Sequence, residues 1–309
     1  MKAARITNFG HVDTIKIEEI DQPQAGDGQV LVEVHAASIN PFDTMVREGH
    51  VQSVQPPLTL GVDIAGIVVK TGSGVADFTP GQKVYGQANV VAGNSGAFAE
   101  FAATKASQLA AMPASTDFVQ AAAMPLVGVS ALQVITQHMN VQAGQKVLIH
   151  GGAGGIGTVA IQIAKHLGAT VTTTATGEGI AYVKDLGADE VVDYTSQAFD
   201  EAEGVYDAVF DTIGGETYER SFKTLKQGGV IVSMLMQPDE TLMQQYNVRA
   251  IAQQTRATTE DLTALAALID QKVVTPHIDA TYPLAQVAEA FAARESGKVK
   301  GKVVLTITD

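Results

Sequence analysis

The chain contains no cysteine and no tryptophan among its 309 residues. Without cysteine it can form no disulfide, no thiol nucleophile and no cysteine-ligated zinc site. It also lacks any apolar run of the ~18 residues that a membrane span requires, and its first residues, MKAARITNF, lack the apolar core of a secretory signal. We therefore expect a cytoplasmic protein.

Positive charge is also scarce. Lys and Arg number 20 against 33 Asp and Glu, which gives a formal net charge of −13. Nucleic acids and anionic membranes bind basic surfaces, and no basic stripe is present. A hydrophobic fraction of 46% with 17% charged residues is typical of a well-packed globular protein. The composition therefore favours a small-molecule partner and argues against nucleic acid or a membrane.

Two patterns divide the chain and predict an α/β protein with two domains. Residues 1 to about 101 are short β-like runs separated by glycine and proline, which indicate a compact β-rich domain. A helical segment follows at 118–139, which we expect Pro125 and Gly128 to interrupt. We then assign residues 121–267 to a Rossmann-type, doubly wound parallel sheet, and 1–120 to the first domain, to which 268–309 return.

Strands and helices alternate in the predicted Rossmann domain. The candidate strands after the first are 169–174, 190–193, 207–211 and 230–234. The candidate helices include 180–186 and 217–225. We expect Gly228 and Gly229 to end the second of these helices.

Residues 146–168, KVLIHGGAGGIGTVAIQIAKHLG, combine a short apolar strand, a glycine turn and an amphipathic helix that we expect Gly168 to cap. The turn contains the pattern GxGxxG. Glycines let the backbone turn tightly and approach a pyrophosphate, which unpaired N–H groups at the helix start attract. The segment therefore predicts a dinucleotide site. Its predicted binding residues are Gly152, Ala153, Gly154, Gly155, Ile156 and Gly157.

Further motifs extend along the whole chain. They are AASINPFD (36–43), GVDIAGIVVKTGSGV (61–75), FTPGQKVYG (78–86), GAFAEFA (96–102), MPLVGVSALQ (124–133), LGADEVVDY (186–194), FDTIGG (210–215) and GKVVL (301–305). In this order, together with the glycine turn, they resemble the zinc-independent quinone oxidoreductase branch of the medium-chain dehydrogenase/reductase superfamily. The resemblance implies a GroES-like substrate domain, an inserted nucleotide domain and an active site in the cleft.

The resemblance also bears on zinc. Zinc-bearing relatives carry a catalytic cysteine where this chain has Asn40, and a His-Glu pair where it has Val62 and Asp63. Neither Asn40 nor Val62 is a zinc ligand, and the seven histidines are scattered without the spacing of a metal site. We expect a metal-free site. Reduction of a quinone or an activated carbon–carbon double bond is then favoured over alcohol oxidation, since no Lewis acid would stabilise an alkoxide.

The end of the second Rossmann strand indicates which nicotinamide cofactor is bound. Sites selective for NAD place Asp or Glu there to hold the ribose 2′-OH, whereas this chain has Thr174 and Thr176. The resemblance adds Tyr194 as a neighbour of the 2′-phosphate. We predict NADP(H) over NAD(H), although a lysine that many relatives carry soon after this strand is missing and Glu178 stands nearby.

The resemblance places the loop after the strand at 30–39 beside the nicotinamide ring, and its candidate catalytic residues are Asn40 and Asp43. Asn40 can donate an amide N–H to a substrate carbonyl or fix the cofactor. We expect Asp43 to orient the loop rather than to act as a general acid, with a purely structural turn as the alternative. Further candidate cofactor ligands are Ser130, by resemblance, and Thr212, Gly214 and Ser233, at the ends of the third and fourth core strands.

Our main hypothesis is an NADPH-dependent reductase of enones, enals or quinones. An enoyl-thioester reductase is one alternative, which would need a basic channel for a phosphopantetheine or coenzyme A phosphate. A non-catalytic NADPH-binding redox sensor is another. We also expect a homodimer, because nucleotide sheets of this superfamily pair edge to edge and VIVSMLM at 230–236 offers a flat apolar edge.

Overall fold

The computed structural model describes residues 1–201 and 203–308, which form two compact units. The first unit contains Met1–Leu126, Ala257–Lys272 and the segment from Pro276 onward, and the second contains Val127–Arg256 with Val273–Thr275. The boundaries predicted near residues 120 and 267 for two folding domains stay a prediction.

Short strands dominate the first unit, and strands alternate with helices in the second. The strands are β1 (Lys2–Ile6), β2 (Lys16–Glu19), β3 (Gln29–Ile39), β4 (Leu58–Thr59), β5 (Asp63–Thr71), β6 (Lys83–Gln87), β7 (Phe101–Lys105), β8 (Leu109–Ala111), β9 (Lys146–Ile149), β10 (Thr170–Ala175), β11 (Glu190–Asp193), β12 (Tyr206–Asp211), β13 (Leu225–Ser233), β14 (Arg249–Ala252), β15 (Ile278–Pro283) and β16 (Lys302–Thr306). The α-helices are α1 (Pro41–Arg47), α2 (Phe118–Ala122), α3 (Pro125–Leu132), α4 (Gly155–His166), α5 (Glu178–Asp185), α6 (Gly215–Ser221), α7 (Glu240–Tyr246), α8 (Thr259–Asp270) and α9 (Val287–Glu295).

The first unit contains two sheets. A small sheet has the order β2-β1-β4, and a larger one has the order β15-β16-β3-β5-β6-β8, with β7 also paired to β3. The C-terminal strand β16 is antiparallel to β3, in a register that sets Val303 opposite Ile39. The apolar residues of the core of this unit, such as Ile64, Phe98 and Phe291, are fully buried. Strand β16 therefore joins the larger sheet beside β3, although more than 260 residues separate their paired positions.

The second unit is a Rossmann sheet with the order β11-β10-β9-β12-β13-β14, and every neighbouring pair is parallel. Counted from β9, this is the order 3-2-1-4-5-6 of a doubly wound dinucleotide-binding fold. The predicted α/β fold class is therefore confirmed. In such a sheet the carboxyl ends of the central strands form the ligand-binding edge.

The predicted helical segment 118–139 is interrupted directly before Pro125, since α2 ends at Ala122 and α3 begins at Pro125. The interruption predicted at Gly128 is wrong, because Gly128 lies inside α3, and a π-helical segment follows at Gln133–His138. Proline suits the first helical turn because its missing N–H has no partner there anyway. Gly228 and Gly229 lie within β13 and do not end α6.

The predicted dimer edge at 230–236 is also wrong. β13 is paired on both sides, with β12 and with β14, and the outer strands of this sheet are β11 and β14. A central parallel strand is buried on both faces and therefore reads as a continuous apolar run. The apolar run therefore belongs to an inner strand, next to the outer strand β14.

In the part of the chain that the structure describes, helices long and apolar enough to span a lipid bilayer are absent.

Candidate active site

The glycine turn connects β9 to α4 as predicted, with Gly154 as the N-cap of the helix. A Cβ on Gly157 would lie 2.3 Å from the carbonyl oxygen of Gly151, and a Cβ on Gly152 would lie 2.1 Å from Oγ1 of Thr173. Only bare backbone therefore fits these two positions. Gly168, with φ at +83°, follows the last turn of α4 in the left-handed conformation that glycine tolerates.

Thr174, on the neighbouring strand β10, holds this turn in place through hydrogen bonds. Its Oγ1 accepts a hydrogen bond from the Gly151 N–H at 3.0 Å and lies 3.4 Å from Nδ1 of His150. On the other side of the ring, His150 Nε2 lies 2.9 Å from Oγ of Ser221, which donates its own hydrogen to the Thr217 carbonyl. Because that hydroxyl proton is already used, Nε2 is the donor and Nδ1 accepts from Thr174.

His150 is therefore a neutral, buried support of the glycine turn. Burial lowers its pKa to about 4, against the opposing effect of the Asp211 carboxylate. Sequence analysis interpreted the histidines as surface or core residues rather than metal ligands, and it gave His150 no role in the turn. The available signal was the position of His150, directly before the first glycine of the turn.

The predicted residues at the ends of β12 and β13 are brought together by Asp211. One Asp211 oxygen accepts from the N–H groups of Ile213 (3.0 Å) and Gly214 (2.9 Å), and the other accepts from the Ser233 hydroxyl (2.6 Å). Thr212 donates its hydroxyl to the His150 carbonyl at 2.8 Å. This carboxylate shapes both loops at the ligand-binding edge, and sequence analysis missed it.

Ser130 is buried in α3, and its hydroxyl lies 2.6 Å from the hydroxyl of Thr255. Next to this pair, Gln253 donates to the Gln133 side chain at 2.8 Å, and Gln133 donates to the Arg256 carbonyl at 3.0 Å. The segment after β14 is thus fastened to α3 and the π-helical segment that follows it.

Thr176 and Tyr194 follow the ends of the neighbouring strands β10 and β11. Thr176 is half-buried, whereas 59% of Tyr194 is exposed. Asp193, the residue before Tyr194, is in register with Ala175, the residue before Thr176. The residues predicted near a cofactor 2′-phosphate therefore each follow directly after one member of this pair.

In the first unit, Asn40 and Asp43 meet at the start of α1. The Asn40 N–H donates to Oδ2 of Asp43 at 2.7 Å, and the two residues form a reciprocal cap of the helix. Both side chains are buried, and 0% of Asn40 is exposed. Asp43 thus orients the loop, as expected, through a helix-capping bond.

The Asn40 side chain is held by two further residues, Asp63 and Lys302. Its Nδ2 donates to Oδ2 of Asp63 at 2.9 Å, and its Oδ1 accepts from Nζ of Lys302. Lys302 also donates to the Ile39 carbonyl at 3.1 Å and lies 4.0 Å from Oδ2 of Asp63. Burial raises the pKa of Asp43 to about 8 and lowers the pKa of Lys302 to about 8. Sequence analysis missed this ion pair, although Lys302 lies in the GKVVL motif.

At the positions where zinc-bearing relatives carry ligands, this chain thus has an amide and a carboxylate that share a lysine ammonium. Across residues 1–201 and 203–308, no three His, Cys, Asp or Glu side chains are close enough together to hold a metal ion.

A Rossmann sheet with this glycine turn, in one chain with a β-rich unit, defines the class of two-domain dehydrogenases and reductases. Two family models match: the alcohol dehydrogenase GroES-like domain at residues 26–114, and the zinc-binding dehydrogenase family at residues 186–305. The NADPH-dependent alkenal/one oxidoreductase of Arabidopsis thaliana is 34% identical over 99% of this chain and 79% of its own length.

Solved structures of related oxidoreductases are similar to this chain over nearly its whole length. The quinone oxidoreductase of Coxiella burnetii, 32% identical, superposes with a TM-score of 0.92 over 100% of this chain and 99% of that one. The Escherichia coli quinone oxidoreductase complexed with NADPH, 26% identical, has a TM-score of 0.90 over 99% and 100%. The chain belongs to the medium-chain dehydrogenase/reductase superfamily, in its branch of quinone oxidoreductases and alkenal reductases, and is an oxidoreductase that acts on small molecules.

Proposed function

We propose that the chain is a zinc-independent reductase that uses NADPH to reduce a quinone or an α,β-unsaturated carbonyl compound. The observation that carries the proposal is the tight glycine turn between β9 and α4, where Gly152 and Gly157 pack too closely against the chain for a Cβ to fit. Such a turn places the N–H groups of a helix start where they attract a pyrophosphate. Relatives named as an NADPH-dependent alkenal/one oxidoreductase and as quinone oxidoreductases support the substrate class.

NADPH supplies the hydride when it is bound. In this proposal the turn from Gly152 to Gly157 holds the pyrophosphate of NADPH. The hydrogen bonds of Thr174 with Gly151 and His150 fix the conformation of the turn. Asp211 shapes the loops that carry Thr212, Gly214 and Ser233, the other predicted contacts. Thr176, in place of an acidic residue after the second strand, supports NADP(H) over NAD(H).

Asn40 and Asp43 act by positioning in this proposal. The Asn40 amide nitrogen has two N–H groups, and it donates to Asp63 at 2.9 Å and to the Ser38 carbonyl at 3.5 Å. A direct bond to a substrate carbonyl would therefore require one of these contacts to break. The buried network instead fixes the loop between β3 and α1. Zinc independence is supported by the same contacts, since the Lys302 ammonium occupies the Asn40 oxygen that a metal would need. The homodimer and the cytoplasmic location stay predictions, with β11 and β14 as the outer strands open to pairing.

The test is an NADPH-oxidation assay with a quinone, an alkenal and an enoyl-thioester, beside a direct NADPH titration. The proposal expects turnover of the quinone or the alkenal that survives treatment with a strong chelator. Turnover confined to the enoyl-thioester would favour an enoyl-thioester reductase. Tight NADPH binding without any turnover would favour a redox sensor. Loss of activity on chelation, restored by zinc, would contradict the zinc-independent assignment.

A further inference from the structure

The carboxylate of Asp193 lies beside the expected place of a dinucleotide's adenosine ribose. β10 and β11 are parallel neighbours, and Asp193 is in register with Ala175, the last residue of β10. In Rossmann sheets, a residue at the end of this second strand contacts the 2′ position of that ribose. Here the next residue is Thr176, whose side chain is close enough to the Asp193 carboxylate to help lower the pKa of Asp193. The adjacent strand thus places an acidic group beside the residue that follows β10.

Asp193 is ionised at neutral pH. Its Oδ1 accepts from the Thr195 hydroxyl at 2.7 Å and from the Thr195 N–H at 3.1 Å. These bonds from Thr195, and then the nearby Thr176 side chain, hold the pKa of Asp193 below its ordinary value. The negative charge is therefore a fixed property of this edge of the sheet.

The segment of chain on either side of Asp193 carries little positive charge. Glu178, the exposed first residue of α5, adds a second carboxylate two residues after Thr176. From residue 170 to residue 197 the sequence contains a single Lys or Arg, Lys184. Lys184 lies in the last turn of α5, about 9 Å of helix rise beyond Glu178. Of the charged side chains from β10 to the end of β11, a 2′-phosphate would thus meet Glu178 and Asp193 sooner than Lys184.

Some hydroxyl groups near the ends of β10 and β11 already form hydrogen bonds within the protein and are not available to a phosphate. Thr174 is buried and accepts from the glycine turn, so its hydroxyl supports the backbone. The Thr176 side chain interacts with Asp193, so the exposed Tyr194, the next residue in the chain after Asp193, remains as a neutral donor. Neutral donors can bind a phosphate, but they do not offset its charge.

We propose that Asp193 is a specificity-determining residue of the cofactor site, which accepts a hydrogen bond from a ribose 2′-OH and repels a 2′-phosphate. The enzyme therefore binds NADH as well as NADPH, with a small preference between them. This inference rests on the proposed function, because it takes a nicotinamide dinucleotide as the cofactor. It deepens that function by naming the group that limits selectivity.

The test is equilibrium titration of NADPH and NADH against the purified full chain and its Asp193→Asn variant, with no acceptor substrate present. Asparagine keeps the acceptor for Thr195 and removes the charge. We expect the Kd for NADPH to fall by at least roughly fivefold, the factor for two unit charges about 4 Å apart in water. The Kd for NADH should stay the same or rise.

The matched control is Asp185→Asn, which makes the same charge change on the exposed last residue of α5. It should change the ratio of the two Kd values by less than about twofold, since charges separated by more than a Debye length are screened. Raising NaCl from about 20 to about 200 mM should move the wild-type ratio toward NADPH, because salt screens the repulsion.

A second variant, Asp193→Ser, guards against a folding defect peculiar to asparagine and should shift the ratio in the same direction. An unchanged ratio in both variants, or weaker NADPH binding in both, would overturn the role of Asp193. If the wild-type chain binds neither nucleotide, the proposed function fails instead. The two failures are therefore distinguishable.

Discussion

Lys302→Met should destabilise the protein by about 3–5 kcal/mol, the usual loss when one partner of a buried ion pair is removed. Lys302 is 5% exposed, so its ammonium lies out of water. The ammonium donates hydrogen bonds to the Ile39 carbonyl and to Oδ1 of Asn40. It also lies 4.0 Å from Oδ2 of the buried Asp63 carboxylate.

The magnitude follows from the contacts that methionine cannot make. Two buried acceptors, on Ile39 and Asn40, lose a hydrogen bond, at about 1–2 kcal/mol each. Asp63 loses the charge 4.0 Å away and keeps only neutral donors, such as Ser38 and the Leu126 N–H. Methionine is close to lysine in length and apolar, so little of the loss arises from a cavity.

Urea unfolding followed by far-UV circular dichroism measures the effect. Lys298→Met, the same change at an exposed site in the preceding loop, is the control and should lie within about 0.5 kcal/mol of wild type. Asp63→Asn in the Lys302→Met background should recover at least about 1 kcal/mol, because it removes the unpaired charge.

The pH dependence has a definite sign. Burial raises the pKa of Asp63, and without Lys302 it should rise further. A carboxyl group with a raised pKa in the folded state stabilises at low pH and loses that contribution as the pH rises. The Lys302→Met defect should therefore be smaller near about pH 5 than near about pH 8. A loss below about 1 kcal/mol at neutral pH, or no rescue by Asp63→Asn, would refute this account of the cluster.

Three further predictions follow from other contacts. His150, with its pKa lowered to about 4, stabilises above about pH 6.5 and loses up to roughly 3 kcal/mol as the pH falls toward 4, so His150→Phe should unfold with a weaker acid dependence in urea titrations. Gly157→Ala should weaken NADPH binding far more than Gly154→Ala in titrations, because their added Cβ atoms would lie 2.3 and 3.3 Å from the Gly151 carbonyl oxygen. Tyr85→Phe, which deletes the bond to the Leu262 carbonyl, should cost about 1 kcal/mol of unfolding free energy, and an unchanged urea midpoint would contradict it.

Much of the nucleotide-binding unit could be predicted because its signals are local. Strand β9, the turn and α4 follow one another between Lys146 and His166, and each element is encoded by its own spacing of apolar residues and glycines. The dimer edge at 230–236 was mispredicted because an apolar strand looks the same wherever it lies in a parallel sheet. Its neighbours β12 and β14 are decided by chain topology.

In the candidate site too, contacts between residues close in the sequence could be predicted, and contacts between residues far apart in the sequence could not. Asn40 and Asp43 are three residues apart, so a helix cap could be expected from the sequence alone. The partners of Asn40 could not, because Lys302 is 262 residues away and Asp63 is 23 residues away on another strand. Likewise, the sequence by itself determined which residues form the glycine turn. Only the folded sheet decided that His150 supports the turn and that Asp193 faces Thr176, since pairing across strands depends on register and burial rather than on chain spacing.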